Sequence, residues 1–197
     1  MKQQQRSFVM GTELKDFIRV YDGVLEEGFC KTVIESFNSS DFEYFDREQR
    51  PSFSELNISK KYLENDKVWM SIQAKLQNSF IDAIELYMKD LDLGPDFPSK
   101  YAFEEFRIKM YNNNDYDQFK DHVDVGNYNS ARRFLVCFLY LNDVEVGGET
   151  NFPKLTHSVS PKCGRILLFP ATWQWRHAGL PPLTSKKYIV GTYLHYV

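Results

Sequence analysis

The hydrophobic pattern of the chain changes near Pro98, and this change limits the folds that the chain can adopt. Before Pro98, apolar residues recur at three- and four-residue steps over 24–37 and 66–91, which predicts two amphipathic helices. After it, apolar and polar residues alternate in 106–111, which is the two-residue period of a strand with one buried face. The first half is therefore expected to be helical and the second half to be built from strands.

The strand-rich half contains several short apolar segments separated by turn residues. Residues 134–141 form a nearly continuous apolar run, as expected for a strand covered on both faces. Further strands are predicted at 165–170 and 186–197, and the turns between them contain Gly, Pro and Asn. This pattern predicts an α+β chain that is mainly β, an antiparallel sandwich or barrel with the helices packed outside one sheet.

Residues 39–65 are polar and are predicted to form a long loop, with a strand only at 42–45. A loop of this length within a compact domain is often functional. This loop and the Asn-rich segment 112–117 are therefore candidates for a lid over a binding site.

The composition excludes several classes of protein. Hydrophobic residues make up 43% and charged residues 26%, which does not fit a mainly disordered chain. The net charge is −3, so no basic surplus favours a nucleic acid as the main partner. No apolar stretch is long enough to span a bilayer and no signal-peptide core is visible, which predicts a cytoplasmic protein without membrane contact. The three cysteines are widely spaced and are expected to be reduced and structural.

A histidine and an aspartate lie two residues apart in the segment KDHVDVG. If this segment is a strand, His122 and Asp124 point to the same face and form part of a metal site. A second histidine from a distant strand would complete two histidines and one carboxylate, a set that suits non-haem Fe(II). The pair alone is a weak signal, and a structural His and Asp at a strand end is the alternative. His177 follows a predicted strand and is available as the second histidine.

A lysine begins the last predicted strand. Lys187 shares one face of that strand with Ile189, Gly191 and Tyr193. A buried ammonium among apolar side chains needs an anionic partner. Lys187 is therefore either an anion-binding residue or a solvated lysine at the strand end.

Six segments in a fixed order carry a family resemblance. They resemble the Fe(II)- and 2-oxoglutarate-dependent dioxygenases, especially the prolyl 4-hydroxylase branch, over about residues 103–197: HVD (122–124), YLND (140–143), GGETNFP (147–153), VSPKCGRILLFP (159–170), His177 and KKYIVGTY (186–193). The resemblance implies a double-stranded β-helix, a cupin-like jelly roll with N-terminal helices on one sheet. It also implies a single domain over 1–197, in which residues 1–102 support a core formed by 103–197.

The resemblance also implies roles for individual residues. His122, Asp124 and His177 would bind Fe(II), and Lys187 would pair with the far carboxylate of the cosubstrate 2-oxoglutarate. Because a lysine offers a point charge and not a bidentate fork, further donors are expected on that carboxylate. By match to the family these are Tyr140, Thr150 and Tyr111. Two alternatives stay open, since Tyr140 could be a barrel-wall aromatic and Tyr116 could replace Tyr111.

The implied reaction consumes O2 and 2-oxoglutarate, releases succinate and CO2, and hydroxylates an unactivated C–H bond. Ascorbate would keep the iron reduced. Proline in a peptide or protein is the first candidate substrate, followed by another protein side chain or a small molecule. A non-catalytic jelly-roll module that binds a metal or ligand is the alternative from a different class. The oligomeric state is not predicted.

Overall fold

Capping residues and apolar faces define the helices of the chain. The computed structural model describes residues 13–47 and 51–197. The long helix begins after Asp66, whose carboxylate accepts hydrogen bonds from the backbone amides of Val68 and Trp69. The α-helices are α1 (Glu27–Asn38), α2 (Ile58–Leu63) and α3 (Lys67–Asp90), and short 3-10 turns lie at Leu14–Phe17, Tyr128–Ser130, Pro153–Leu155 and Trp173–Trp175.

Twelve strands within the described residues form two antiparallel sheets. The strands are β1 (Arg19–Tyr21), β2 (Glu43–Asp46), β3 (Ser52–Asn57), β4 (Tyr101–Phe103), β5 (Arg107–Tyr111), β6 (Phe119–His122), β7 (Arg133–Tyr140), β8 (Thr150–Phe152), β9 (His157–Val159), β10 (Arg165–Pro170), β11 (His177–Gly179) and β12 (Lys187–Tyr196). The major sheet has the order β1-β10-β7-β12-β5-β3-β2, with β4 also paired to β12, and the minor sheet has the order β6-β11-β8-β9.

The major sheet is covered on both faces, which explains the continuous apolar run of β7. Leu135, Cys137 and Leu139 belong to the core that the sheet shares with α1 and α3. Val136 and Tyr140 belong to a second core on the opposite face, which includes Phe152 of the minor sheet. The chain therefore has the predicted jelly roll with helices packed on one sheet.

The segment 39–65 differs from its prediction. It contains β2 near the expected strand, but also β3 and α2, so most of it is regular structure. The polar side chains of β3 are misleading, because Ser52, Ser54 and Glu55 are buried between neighbouring strands. Polar composition predicted a loop, whereas strand pairing with β2 and β5 determines the structure.

Two other expectations concern the organisation and location of the chain. Within the described residues, the structure contains no helix with the length and apolar character needed to span a bilayer. The cytoplasmic location stays a prediction, and so does the division into a support region over 1–102 and a core over 103–197. All three cysteines are free thiols, and Cys30 and Cys137 are buried.

Candidate active site

Two histidines and an aspartate meet at one end of the minor sheet. His122 is the last residue of β6 and is the antiparallel partner of His177, the first residue of β11. Asp124 lies two residues beyond the end of β6, so the condition of a single strand through both residues is not met. The bend still turns its carboxylate towards the histidines, and one ligand atom from each of the three residues lies within 4.8 Å of the others.

Backbone carbonyl groups orient both imidazoles towards the centre of this triad. Nδ1 of His122 is 2.8 Å from the carbonyl oxygen of Lys120, and Nδ1 of His177 is 3.1 Å from that of Trp175. When Nδ1 donates to a carbonyl, Nε2 of the neutral ring is left with its lone pair free. The two Nε2 atoms lie 3.8 Å and 3.6 Å from the carboxylate oxygens of Asp124.

The triad contains buried polar atoms without a protein partner. Nε2 of His177 and Oδ2 of Asp124 are buried, and neither has a hydrogen-bond partner among the described residues. Leaving such atoms unpaired costs free energy unless a ligand occupies the space between them. A divalent cation fits this arrangement, and two imidazoles with one carboxylate are the donor set of non-haem Fe(II) sites.

The protonation state of His122 also suits metal binding. Burial, together with the neighbouring His177, lowers the pKa of His122 to about 4. The imidazole is therefore neutral near pH 7, although Asp124 is close enough for an ion pair. A neutral ring is the form that binds a metal, so no proton has to be removed first.

Tyr193 supports the triad, and the sequence pattern assigned it a face of β12 but no role. Its hydroxyl donates a 2.8 Å hydrogen bond to Oδ1 of Asp124. The guanidinium of Arg133 lies 4.1 Å from the centre of the Tyr193 ring and donates to the backbone oxygen of Asp124 at 3.3 Å. Arg133 is itself fixed by Glu104 through bonds of 2.9 Å and 2.8 Å. These contacts orient the aspartate so that Oδ2 remains free.

Lys187 is buried opposite the triad in a small chamber between the sheets, which we call the inner cavity. Its side chain is almost inaccessible to solvent, so the alternative of a solvated lysine does not hold. Nζ donates to the carbonyl oxygen of Gly148 at 2.9 Å and lies 4.4 Å from the centre of the Tyr111 ring. No carboxylate of the described chain is within ion-pair distance of it, and burial lowers its pKa to about 7.

The other residues predicted to bind the cosubstrate differ in whether they line the inner cavity. Tyr111 and Thr150 line the inner cavity, and the hydroxyls of Thr150 and Tyr140 are 2.6 Å apart. Tyr140 is fully buried behind Thr150 and is not among the residues that line the cavity. The hydroxyl of Tyr116 bonds to Asp46 outside the cavity, so Tyr111 is the better placed of the two tyrosines.

A wider groove, which we call the outer groove, adjoins the inner cavity. The two spaces share five lining residues: Lys109, Phe119, Phe138, Gly191 and Tyr193. Phe45 and Phe53 of the β2–β3 hairpin form part of the outer groove. The inner cavity is therefore lined by the two histidines of the triad and by a buried ammonium, and the outer groove offers a larger surface beside them.

This fold and site define a class of protein: a jelly roll with a His-Asp-His triad that could hold a metal ion, and with a buried lysine between its sheets. A family model described as the 2OG-Fe(II) oxygenase superfamily matches residues 106–195. Over these residues the chain is similar to that superfamily, and the similar proteins described below are prolyl hydroxylases.

An individual relative shows the same similarity. The chain is 31% identical over 94 residues to prolyl 4-hydroxylase subunit alpha-1 of Gallus gallus, a match that covers 40% of this chain and 18% of the relative. The chain thus spans less than a fifth of the length of that curated relative.

Solved structures share the fold. Viral collagen prolyl hydroxylase from Paramecium Bursaria Chlorella virus-1, solved as a 2OG complex, has a TM-score of 0.64 at 20% identity, covering 92% of this chain and 97% of that one. A Trichoplax adhaerens prolyl hydroxylase, solved with a peptide fragment of the hypoxia inducible factor oxygen degradation domain, has a TM-score of 0.70 at 14% identity, covering 91% of this chain and 83% of that one.

Proposed function

We propose that this chain is an Fe(II)- and 2-oxoglutarate-dependent dioxygenase that hydroxylates proline in a peptide or protein. The observation that carries the proposal is the triad, in which Nε2 of His177 and Oδ2 of Asp124 are buried without protein partners. His122, Asp124 and His177 would hold the iron. With 2-oxoglutarate and O2, the bound iron supplies the oxidation of an unactivated C–H bond, with release of succinate and CO2.

The residues around the iron site have separate tasks. Lys187 would bind the far carboxylate of 2-oxoglutarate, because it is a buried ammonium whose one hydrogen bond within the described residues is to Gly148. Thr150 and Tyr111 line the same cavity and can add donors to that carboxylate, while Tyr140 fixes the hydroxyl of Thr150. Phe119 packs against the ring of His122, and Phe138 and Phe152 pack against that of His177, so these rings would limit the access of water to the iron site.

The lid is proposed for a smaller part of the chain than its sequence suggested. β3 pairs with β5 inside the major sheet, so it is not a removable loop. Strand β2 and residues 112–117 are held together, since Tyr44 bonds to Asp117 at 3.0 Å and Tyr116 to Asp46 at 2.9 Å, and these two segments are the proposed lid. Protection of the Arg47 peptide bond from trypsin by bound substrate would support this lid, and equal cleavage with and without substrate would exclude it.

The test of the proposed function is succinate formation with Fe(II), 2-oxoglutarate, O2, and ascorbate as the proposed reductant. A panel of proline-containing peptides is added to the wild type, Asp124→Ala and Lys187→Ala, with the fold of each variant checked by circular dichroism. We expect iron-dependent succinate in the wild type, stimulation by a peptide that gains one oxygen on proline, and a loss of at least about a hundredfold in each variant.

Different results would exclude different parts of the proposal. Succinate without stimulation by any peptide would exclude peptidyl proline and favour another side chain or a small molecule. No succinate from folded, metal-loaded protein would exclude catalysis and favour the metal- or ligand-binding module.

A further inference from the structure

A second lysine lies where the inner cavity meets the outer groove. Lys109 is on β5 directly across from Ile189 of β12, and the next cross-strand pair on this face is Tyr111 with Lys187. Two residues along a strand span about 6.8 Å, so the two lysines stand one step apart on the same face. Lys109 lines both spaces, whereas Lys187 lines only the inner cavity.

The ammonium of Lys109 is held by aromatic faces and only loosely by a carboxylate. Nζ lies 4.7 Å from the centre of the Phe53 ring and 5.5 Å from that of Phe119. Oε2 of Glu55 is 3.9 Å away, beyond hydrogen-bond distance. The other oxygen of Glu55 accepts a 2.6 Å bond from Arg107, so this carboxylate is already engaged. Lys109 is therefore oriented by packing but incompletely neutralised.

The charges of the outer groove leave a cationic excess at this point. The groove is lined by four cationic residues and three carboxylates: Arg47, Arg107, Lys109, Arg133, Glu55, Glu104 and Glu105. Glu104 is bonded to Arg133, and Glu55 and Glu105 are bonded to Arg107. Lys109 and Arg47 are the remaining cations among these lining residues. The described residues that line the groove thus have one excess positive charge, although the whole chain has a net charge of −3.

We propose that Lys109 is a specificity-determining residue that binds a carboxylate of the substrate, on an acidic side chain next to the residue that is oxidised. This inference rests on the proposed function and names its substrate class, an acidic peptide. Lys187 is enclosed with the cosubstrate, whereas Lys109 borders the space that a peptide can enter. An anionic group at Lys109 would replace the long contact to Glu55 by a direct charge-assisted hydrogen bond.

The experiment compares matched peptides. One peptide has a Glu residue on each side of the proline. The other has Gln at the same two positions, because Gln has the same shape as Glu without the charge. We expect the wild type to prefer the Glu peptide by on the order of tenfold in kcat/KM, as for one hydrogen bond to a charged group. The preference for the Glu peptide should be lost in Lys109→Met and retained in Lys109→Arg. Lys109→Glu should instead prefer a peptide with Lys at these positions.

A matched control is available on α3. Nζ of Lys75 also stands over an aromatic ring, 4.4 Å from the centre of Phe29, but it borders neither the inner cavity nor the outer groove. Lys75→Met should therefore leave the ratio between the two peptides unchanged. Lys109→Arg keeps the test valid if the Met variant does not fold.

Direct binding separates failure of this inference from failure of the proposed function. The affinities of fluorescently labelled Glu and Gln peptides are measured by anisotropy with the wild type and the variants, without turnover. A preference for Glu that is lost in Lys109→Met supports the inference even when no proline is hydroxylated. Equal affinity of the wild type for both peptides, or no binding of either, would overturn it.

Discussion

At the scale of single residues, the site is characterised by charged groups whose partners are missing from the described chain. Lys187 is the clearest case, because burial lowers its pKa from 10.5 to about 7. Lys109 also lowers the pKa, and Glu149 raises it. Between pH 7 and 10.5 the unfolded chain binds more protons at this residue than the folded chain does. The free energy of unfolding therefore gains a contribution that increases with pH over this range.

The low pKa of Lys187 predicts how 2-oxoglutarate binding depends on pH. The cosubstrate carboxylate needs the ammonium form, which the free protein loses as the pH rises through about 7. We expect the affinity for 2-oxoglutarate to fall above pH 7 by up to about tenfold per pH unit, with uptake of a proton. The affinity and the number of protons taken up are both measured by anaerobic calorimetry of the iron-loaded protein in buffers of different ionisation enthalpy.

Lys187→Arg is the control for this prediction, because a guanidinium stays protonated throughout the range. Its 2-oxoglutarate affinity is expected to vary much less between pH 7 and 9. Binding to the wild type without proton uptake at pH 8 to 9 would contradict a titrating lysine at this position.

The sequence predicted some site residues and missed others for a physical reason. His122, Asp124, His177 and Lys187 lie in recognisable motifs, and the structure gathers the first three within 4.8 Å. Tyr193 lies in the same segment as Lys187, but the pattern gives it no role there, and Lys109 belongs to none of these motifs. Their significance comes from tertiary contacts, since Tyr193 reaches Asp124 across the space between the sheets and Lys109 stands between two phenylalanine rings.

At the scale of elements, hydrophobic period was a better guide than polarity. The helical period predicted α1 and α3, and the continuous apolar run predicted β7, because each depends on which faces are buried. The polar strand β3 was missed because its Ser52 and Ser54 side chains are buried by neighbouring chain segments, which the local pattern does not reveal. Ser52 Oγ, for example, donates to the carbonyl oxygen of Tyr116.

The turn before β10 joins the helical layer to the major sheet through Gly164. Its amide donates to the carbonyl oxygen of Tyr140, and its carbonyl accepts from the amide of Val24. Gly164 has φ +72°, and an added Cβ would lie 2.2 Å from the carbonyl oxygen of Leu25. The backbone of the turn and the chain leading into α1 therefore require a residue without a side chain here.

Gly164→Ala should lower the free energy of unfolding by about 2–4 kcal/mol, from the left-handed backbone and the close contact together. Urea denaturation measures this loss. Gly28→Ala in α1 is the control, because a Cβ there meets nothing within 4 Å. That change should stabilise the chain by up to about 1 kcal/mol. Equal stability of the two variants would contradict the packing described for this turn.

At the scale of the whole molecule, the site connects the two sheets. His122 and His177 belong to the minor sheet, and Lys187 belongs to β12 of the major sheet. A metal bound by the triad and a cosubstrate that reaches Lys187 would therefore link both layers. A ligand that binds only the folded state stabilises it. Well above Kd, this stabilisation grows with the logarithm of the ratio of ligand concentration to Kd.

Metal and 2-oxoglutarate together should consequently raise the Tm. At one hundred times Kd the stabilisation is about 2.7 kcal/mol. For a chain of this length that corresponds to a rise of about 5–10 °C, and a chelator should reverse it. Differential scanning calorimetry without O2 measures the shift. Asp124→Ala should lose most of it, whereas Asp121→Ala, which removes an exposed partner of Arg176, should keep it. An equal Tm of the wild type with and without the ligands would mean that the triad does not hold a metal, because binding to the folded state alone must raise the transition.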